Sequence, residues 1–141
     1  MVISHQLYDI NGYSLLLLKS DINNITVKSY IDTGYIHETL DNLGINHLIE
    51  HVLVNSNSQC NNDCITEMNK KGIIMNAYTG LNIINYFTMG INSDLNKMIN
   101  FIVETTLDID NINESIVEKE KKAVLNELLT NSNNSLIPLW N

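Results

Sequence analysis

The feature that most constrains this chain is the stretch His47-Leu48-Ile49-Glu50-His51. If a helix spans about residues 43–55, His47 and His51 lie four positions apart on one face, and Glu50 projects from the same side. Two neutral imidazoles one turn apart can bind a single zinc ion. A carboxylate beside them, outside the coordination sphere, can accept a proton from a zinc-activated water. The stretch therefore predicts a catalytic zinc site with Glu50 as general base.

This motif, H-x-x-E-H, is the inverse of the commoner zinc motif H-E-x-x-H. Because the chain has only 4 histidines, we estimate that a chance match occurs in roughly 1 in 100 comparable sequences. The alternative is a partly exposed helix with two solvated or capping histidines. A third ligand elsewhere decides between the two interpretations, since catalytic zinc sites use three protein ligands and leave one position for water.

A candidate for the third ligand lies on the last long helix, which is predicted over residues 114–129. Ile116, Glu120, Ala123 and Glu127 share one stripe of this helix, because they step by four, three and four positions. A carboxylate buried on such a stripe is costly unless it has a partner. Either both glutamates lie at the edge of the stripe and reach water, or one of them is the missing zinc ligand.

Composition limits the partners and the location. The net charge of −8 argues against nucleic acid and anionic membranes, because those surfaces select a basic face. No stretch is long and apolar enough to span a bilayer, and the N-terminus lacks the features of a signal or transit peptide. We therefore expect an intracellular, cytoplasmic protein. Cys60 and Cys64 have no second pair to complete a tetrahedral site, so we interpret them as free thiols.

The pattern along the chain predicts an α+β fold. Asn11-Gly12 indicates a tight hairpin, and the continuous run of residues 15–18, all leucine, predicts burial on both faces of its second strand. Alternating apolar and polar side chains over residues 25–32 predict a third strand with one core face. Two more strands are expected at residues 73–79 and 82–90, where tyrosine and phenylalanine favour the β conformation.

Three separate stretches carry a resemblance to a known family. They are the motif His47-Leu48-Ile49-Glu50-His51, the strand Asn76-Ala77-Tyr78-Thr79, and the helix with Glu127, which follows His51 by 76 positions. In this order they resemble the pitrilysin/insulinase family of inverted-motif zinc metallopeptidases, which includes the mitochondrial processing peptidase-like proteins. The resemblance covers about residues 8–130, nearly the whole chain.

The resemblance implies roles for the matching positions. His47, His51 and Glu127 would bind one Zn²⁺ per chain, and Glu50 would be the catalytic general base that later donates a proton to the leaving amine. Glu120 would lie beside the site and hold a zinc-bound imidazole in its working tautomer.

The resemblance also implies a substrate surface and a fold. Asn76 and Ala77 would lie on an edge strand that binds an extended peptide substrate by strand addition. The fold would be α+β, with helices packed on one face of a mixed, largely antiparallel sheet. Family members normally contain larger, repeated domains, so residues 1–141 would be a single domain forming an incomplete, N-terminal portion of the catalytic domain. A second homologous domain or subunit would complete the chamber.

Two functions stay open for such a chain. One is a zinc-dependent endopeptidase that hydrolyses extended peptides, which the intact ligands and Glu50 favour. The other is a catalytically inactive or truncated relative that acts as a scaffold or partner subunit, which the short length favours. Asn46 is a departure beside the first ligand, because this position is usually small and apolar in the family.

Overall fold

The computed structural model describes residues 2–57, 62–107 and 109–133, and it shows an α+β architecture. Its strands are β1 (Val2–Ile10), β2 (Tyr13–Ser20), β3 (Asn24–Ile31), β4 (Ile74–Thr79) and β5 (Ile84–Ile91). Its helices are α1 (Ile45–Ser56), α2 (Asn62–Lys70), α3 (Leu95–Leu107) and α4 (Glu114–Asn133), with 3-10 turns at Tyr35–His37 and Asn92–Asp94. The predicted fold class is confirmed. Cys60 and the side chain of Cys64 lie outside the described residues.

The strands differ in two details from the expected single mixed sheet. β1 and β2 form a sheet of their own, and β3, β5 and β4 form a second sheet in that order. Every pairing among the described strands is antiparallel. The reason is the position of β5: β3 and β4 run in the same direction, but β5 lies between them, so no parallel pair forms.

The core lies between the second sheet and the helices. α3 packs on β3 and β5, while α1 and α2 contact β4. Side chains alternate between the two faces of a strand, so every second residue of β3 faces this core. The buried core residues are Leu53, Met68, Ile73, Ile84, Tyr86, Met98, Phe101 and Ile102. Helix α1 also packs against α4, and this contact forms the candidate site.

The β1–β2 hairpin contradicts one expectation. Residues 15–18 were expected to be buried on both faces, yet these four leucines are 41% to 58% exposed. A leucine run becomes buried only where the fold places a layer on each side of the strand. In the described residues the hairpin is a separate sheet of two strands, so its pairing alone leaves both faces open.

Candidate metal centre

Helix α1 carries His47, Glu50 and His51 where it packs against α4 and β4. The imidazole rings of His47 and His51 are 4.9 Å apart between centroids and stand at 80° to each other. Their side chains are 16% and 24% exposed. One helical turn separates the two histidines, as their spacing predicts, so both can reach one ion.

A polar network around Glu38 and Asn46 holds the first turn of α1. The Glu38 carboxylate accepts hydrogen bonds from the backbone N–H of Gly44 at 2.8 Å and of Asn46 at 3.0 Å. The buried Asn46 amide donates to Gly34 O and to Glu38 Oε1, both at 3.0 Å, and accepts from Thr33 Oγ1 at 2.9 Å. Burial tends to raise the pKa of Glu38, but the hydrogen bonds outweigh it and the pKa is lowered. The network fixes the start of the helix that carries the histidines.

Glu127 on α4 supplies the third donor. Its Oε2 lies 3.6 Å from His47 Nε2 and 3.5 Å from His51 Nε2. Zinc bonds of about 2.0–2.2 Å to nitrogen and oxygen place tetrahedral ligand atoms about 3.3–3.6 Å apart, so both distances from Glu127 are compatible with zinc. The Glu127 side chain is 46% exposed, which leaves one side of the cluster open to solvent.

Glu120 lies on the buried side of the cluster. It is 3% exposed, and its Oε2 lies 3.4 Å from His51 Nδ1, while Oε1 lies 3.4 Å from Lys119 Nζ. The two nitrogens of His51 therefore face different carboxylates, Nδ1 toward Glu120 and Nε2 toward Glu127. This arrangement favours a proton on Nδ1 and leaves Nε2 free to bind a metal. Of the two stripe glutamates, only Glu127 reaches water.

Thr79 is a site residue that sequence reasoning missed. Its hydroxyl donates a hydrogen bond to Glu50 Oε2, and the residue is 6% exposed at the end of β4. Among the described residues, the group that could hold a metal consists of His47, His51 and Glu127 and does not include Glu50. Thr79 was noted only as part of a strand motif. No periodicity links it to Glu50, because 29 positions separate the two.

Asn76 and Ala77 lie on β4, which is an edge strand of the second sheet in the described residues. The backbone N–H of Ala77 donates to the Asn76 side chain at 2.9 Å. Both residues also line a cavity of about 290 Å³ that extends to Glu50 and His51. The structure thus brings the predicted substrate strand, the predicted base and the predicted ligands into one region. Their individual roles stay predictions.

Two solved structures share this fold. A protease from Helicobacter pylori superposes with a TM-score of 0.80 at 22% identity, covering 95% of this chain and 33% of that one. Pitrilysin superposes with a TM-score of 0.74 at 17% identity, covering 89% of this chain and 14% of that one. At these identities the likeness shows the fold alone: an α+β domain built like part of a pitrilysin-like protein.

Sequence comparison defines the family. The profile described as Insulinase (Peptidase family M16) matches residues 16–137, so the chain belongs to this family and the predicted resemblance is confirmed. Among the described helices, none has the length and hydropathy of a membrane-spanning segment.

The curated relatives are much longer than this chain. The β subunit of mitochondrial-processing peptidase from Neurospora crassa is 29% identical over 103 residues, covering 72% of this chain and 21% of the relative. Its counterpart from Rattus norvegicus is 25% identical over 119 residues, covering 84% of this chain and 24% of the relative. Cytochrome b-c1 complex subunit 1 from the same species is 26% identical over 122 residues, covering 86% of this chain and 25% of the relative. The chain therefore spans a quarter or less of these relatives.

Proposed function

We propose that this chain is the zinc-binding, N-terminal portion of an endopeptidase catalytic domain that hydrolyses extended peptides. The observation that carries the proposal is the donor geometry. The Oε2 atom of Glu127 lies 3.5–3.6 Å from one nitrogen of each histidine. Family membership supports a peptidase-like function.

His47, His51 and Glu127 would hold one zinc ion, and the open side at Glu127 would admit water and substrate. Zinc, when bound, activates a water molecule and polarises the substrate carbonyl. Glu120 would act through His51: by accepting the Nδ1 proton, it would fix the imidazole in the tautomer that presents Nε2 to the metal.

Glu50 would move the proton. The Thr79 hydroxyl donates to Oε2 of Glu50, which orients the carboxylate and leaves Oε1 to accept a proton from the attacking water. The same group would then donate this proton to the leaving amine. Glu50 suits this role because it lies beside the cluster without belonging to the donor set.

β4 would bind the substrate. Its edge position allows an extended peptide to add a strand, with the Ala77 N–H as one backbone donor once the Asn76 side chain moves aside. A second homologous domain or subunit would complete the chamber, because relatives of this chain are far longer or are named as subunits. The cytoplasmic location stays a prediction.

The alternative is a catalytically inactive relative that acts as a scaffold or partner subunit. The likeness to cytochrome b-c1 complex subunit 1, named as a component of a larger complex, favours this second function. Metal content separates the two functions in part, because a scaffold has no need of a complete donor set.

The first experiment is metal analysis by native mass spectrometry on the folded chain. We expect about one zinc per chain, lost or greatly weakened in Glu127→Gln. Glu120→Gln should weaken zinc binding by roughly 10- to 100-fold. Glu118→Gln is the matched control, because Glu118 is exposed on the same helix and pairs with Lys121 instead. A folded wild-type chain without zinc affinity would contradict the proposal.

The second experiment tests whether Glu50 is the general base or a zinc ligand. Glu50→Gln should bind zinc like the wild type and lose cleavage of an unstructured peptide, measured by mass spectrometry of the products. Loss of zinc in this variant would make Glu50 a ligand. A zinc-loaded wild-type protein that contains this chain together with the second domain or subunit, and still cleaves no unstructured peptide, would favour the scaffold function.

A further inference from the structure

Tyr35 lies in the 3-10 turn between β3 and α1, next to the residue that orients the predicted base. Its backbone N–H donates a hydrogen bond to the Gly80 carbonyl at 3.1 Å. Gly80 directly follows Thr79, whose hydroxyl donates to the Glu50 carboxylate. The end of β4 therefore holds both Glu50 and the backbone of Tyr35.

The same turn is also tied to the helix that carries the histidines. On one side of Tyr35, the Gly34 carbonyl accepts a hydrogen bond at 3.0 Å from the side chain of Asn46, which directly precedes His47. On the other side, the Glu38 carboxylate accepts from the backbone N–H of Asn46 at 3.0 Å. The segment that carries Tyr35 is thus fixed on both sides before any substrate binds, as a catalytic hydrogen-bond donor requires.

The Tyr35 side chain is 43% exposed, so a substrate can reach it. Its pKa is raised, most by burial, next by the charge of Glu50, and less strongly by that of Glu127. Exposed charges more than about 10 Å apart are largely screened, so the hydroxyl lies in the neighbourhood of both carboxylates. It stays protonated at neutral pH, and it makes no hydrogen bond among the residues that the structure describes. The hydroxyl is therefore a free donor close to the base and to one candidate ligand.

Peptide hydrolysis needs such a donor. The carbonyl oxygen of the substrate gains negative charge when water adds to the carbonyl carbon, and the carboxylates of Glu50 and Glu127 cannot stabilise that charge. A protonated hydroxyl can. We propose that Tyr35 is a further catalytic residue, whose hydroxyl donates a hydrogen bond to the substrate carbonyl oxygen as water adds. This inference rests on the proposed peptidase function.

The kinetic test uses Tyr35→Phe in the zinc-loaded protein that contains this chain together with the second domain or subunit. We expect kcat for an unstructured peptide to fall by about 100-fold, the scale for losing one such donor. KM should stay close to the wild-type value, because the hydrogen bond strengthens only as the charge develops. The zinc content and the urea unfolding midpoint should not change, whereas a merely structural role would alter one of them.

Two tyrosines provide controls. Tyr13→Phe should leave kcat unchanged, because Tyr13 is 61% exposed on the separate β1–β2 sheet. Tyr78→Phe tests the neighbouring hydroxyl, since the Tyr78 ring lies beside Gly80. We expect a much smaller loss of kcat in Tyr78→Phe than in Tyr35→Phe. Equal losses in these two variants, or a wild-type kcat in Tyr35→Phe, would overturn the assignment.

A binding measurement gives a result that does not depend on turnover. The probe is a phosphinic peptide, whose tetrahedral phosphorus carries charged oxygens like those that form when water adds to a carbonyl group. Calorimetry should show that Tyr35→Phe weakens its binding by about the same factor as kcat/KM. Binding that is equally tight in Tyr35→Phe and in the wild type would contradict the contact.

The two measurements together distinguish this inference from the proposed function. Equal cleavage by the wild type and Tyr35→Phe would support the peptidase function and overturn the role of Tyr35. Binding of the phosphinic peptide that depends on Tyr35, in a wild-type protein that cleaves nothing, would support the contact and contradict the peptidase function. A wild-type protein that neither cleaves nor binds would overturn both.

Discussion

Replacement of Asn46 by alanine tests how the histidine helix is held. Asn46 is 4% exposed, and its side chain makes three hydrogen bonds with Gly34, Glu38 and Thr33. Alanine would remove all three and leave the Gly34 carbonyl and the Thr33 hydroxyl without this partner.

The expected loss of unfolding free energy follows from these three hydrogen bonds. The two neutral hydrogen bonds contribute about 1 kcal/mol each, and the bond to the Glu38 carboxylate contributes about 1.5–3 kcal/mol. Alanine regains about 0.6 kcal/mol through its better helix propensity. We therefore expect Asn46→Ala to lower the free energy of unfolding by about 3–4.5 kcal/mol, a large part of the stability of a domain of this size.

Urea unfolding at pH 7, followed by far-UV circular dichroism, measures this loss. Asn100→Ala is the matched control, because Asn100 is exposed on α3 and its replacement should raise the unfolding free energy by about 0.6 kcal/mol through helix propensity alone. A loss below about 1 kcal/mol in Asn46→Ala would refute the reasoning. It would show that the helix start is held by packing and that the polar network is incidental.

Three further replacements test the surroundings of the site. Gly34→Ala should lower the unfolding free energy by about 1–3 kcal/mol in the same urea assay, because an added Cβ would lie 2.5 Å from the Gly80 oxygen. Glu38→Gln should destabilise the chain most at pH 7. Because the pKa of Glu38 in the folded chain lies below its ordinary value of 4.5, the stability that its carboxylate contributes is present above pH 4.5 and is lost as the pH falls through the folded pKa. A difference in unfolding free energy between Glu38→Gln and the wild type that stays constant with pH would contradict this. Thr79→Val should leave the zinc content unchanged and slow cleavage by the zinc-loaded chain, because Glu50 loses its orienting donor. An unchanged rate would remove Thr79 from the site.

Helical periodicity made the two site helices predictable. The expected segments at residues 43–55 and 114–129 correspond to Ile45–Ser56 and Glu114–Asn133. A repeat of three and four positions fixes which residues share a face, and this depends only on local geometry. The same periodicity could not distinguish Glu120 from Glu127. Their burial differs because α4 packs on α1 along one line, and the position of that line is a tertiary property.

The strand order and the hydrogen bonds of Asn46 and Thr79 were less predictable, because they depend on contacts between residues distant in sequence. In the second sheet β5 lies between β3 and β4. The alternation of apolar and polar residues within each strand is the same for any strand order, so it could not predict this one. Asn46 looked like an unfavourable departure, and Thr79 received no role. Both are explained only when Gly34 or Glu50 is brought alongside by the fold.

The anchors of α1 also explain how two helices far apart in sequence can share a metal. α1 is held at its start by Glu38, in its middle by Thr79, and at its end by Asn57, which donates to Thr105 Oγ1 at 2.9 Å. α4 contacts α1 through the glutamate–histidine cluster. A metal bound by His47, His51 and Glu127 would therefore join these two helices at the site. The histidines form a site prepared by the fold, whereas the position of Glu127 depends on the docking of α4.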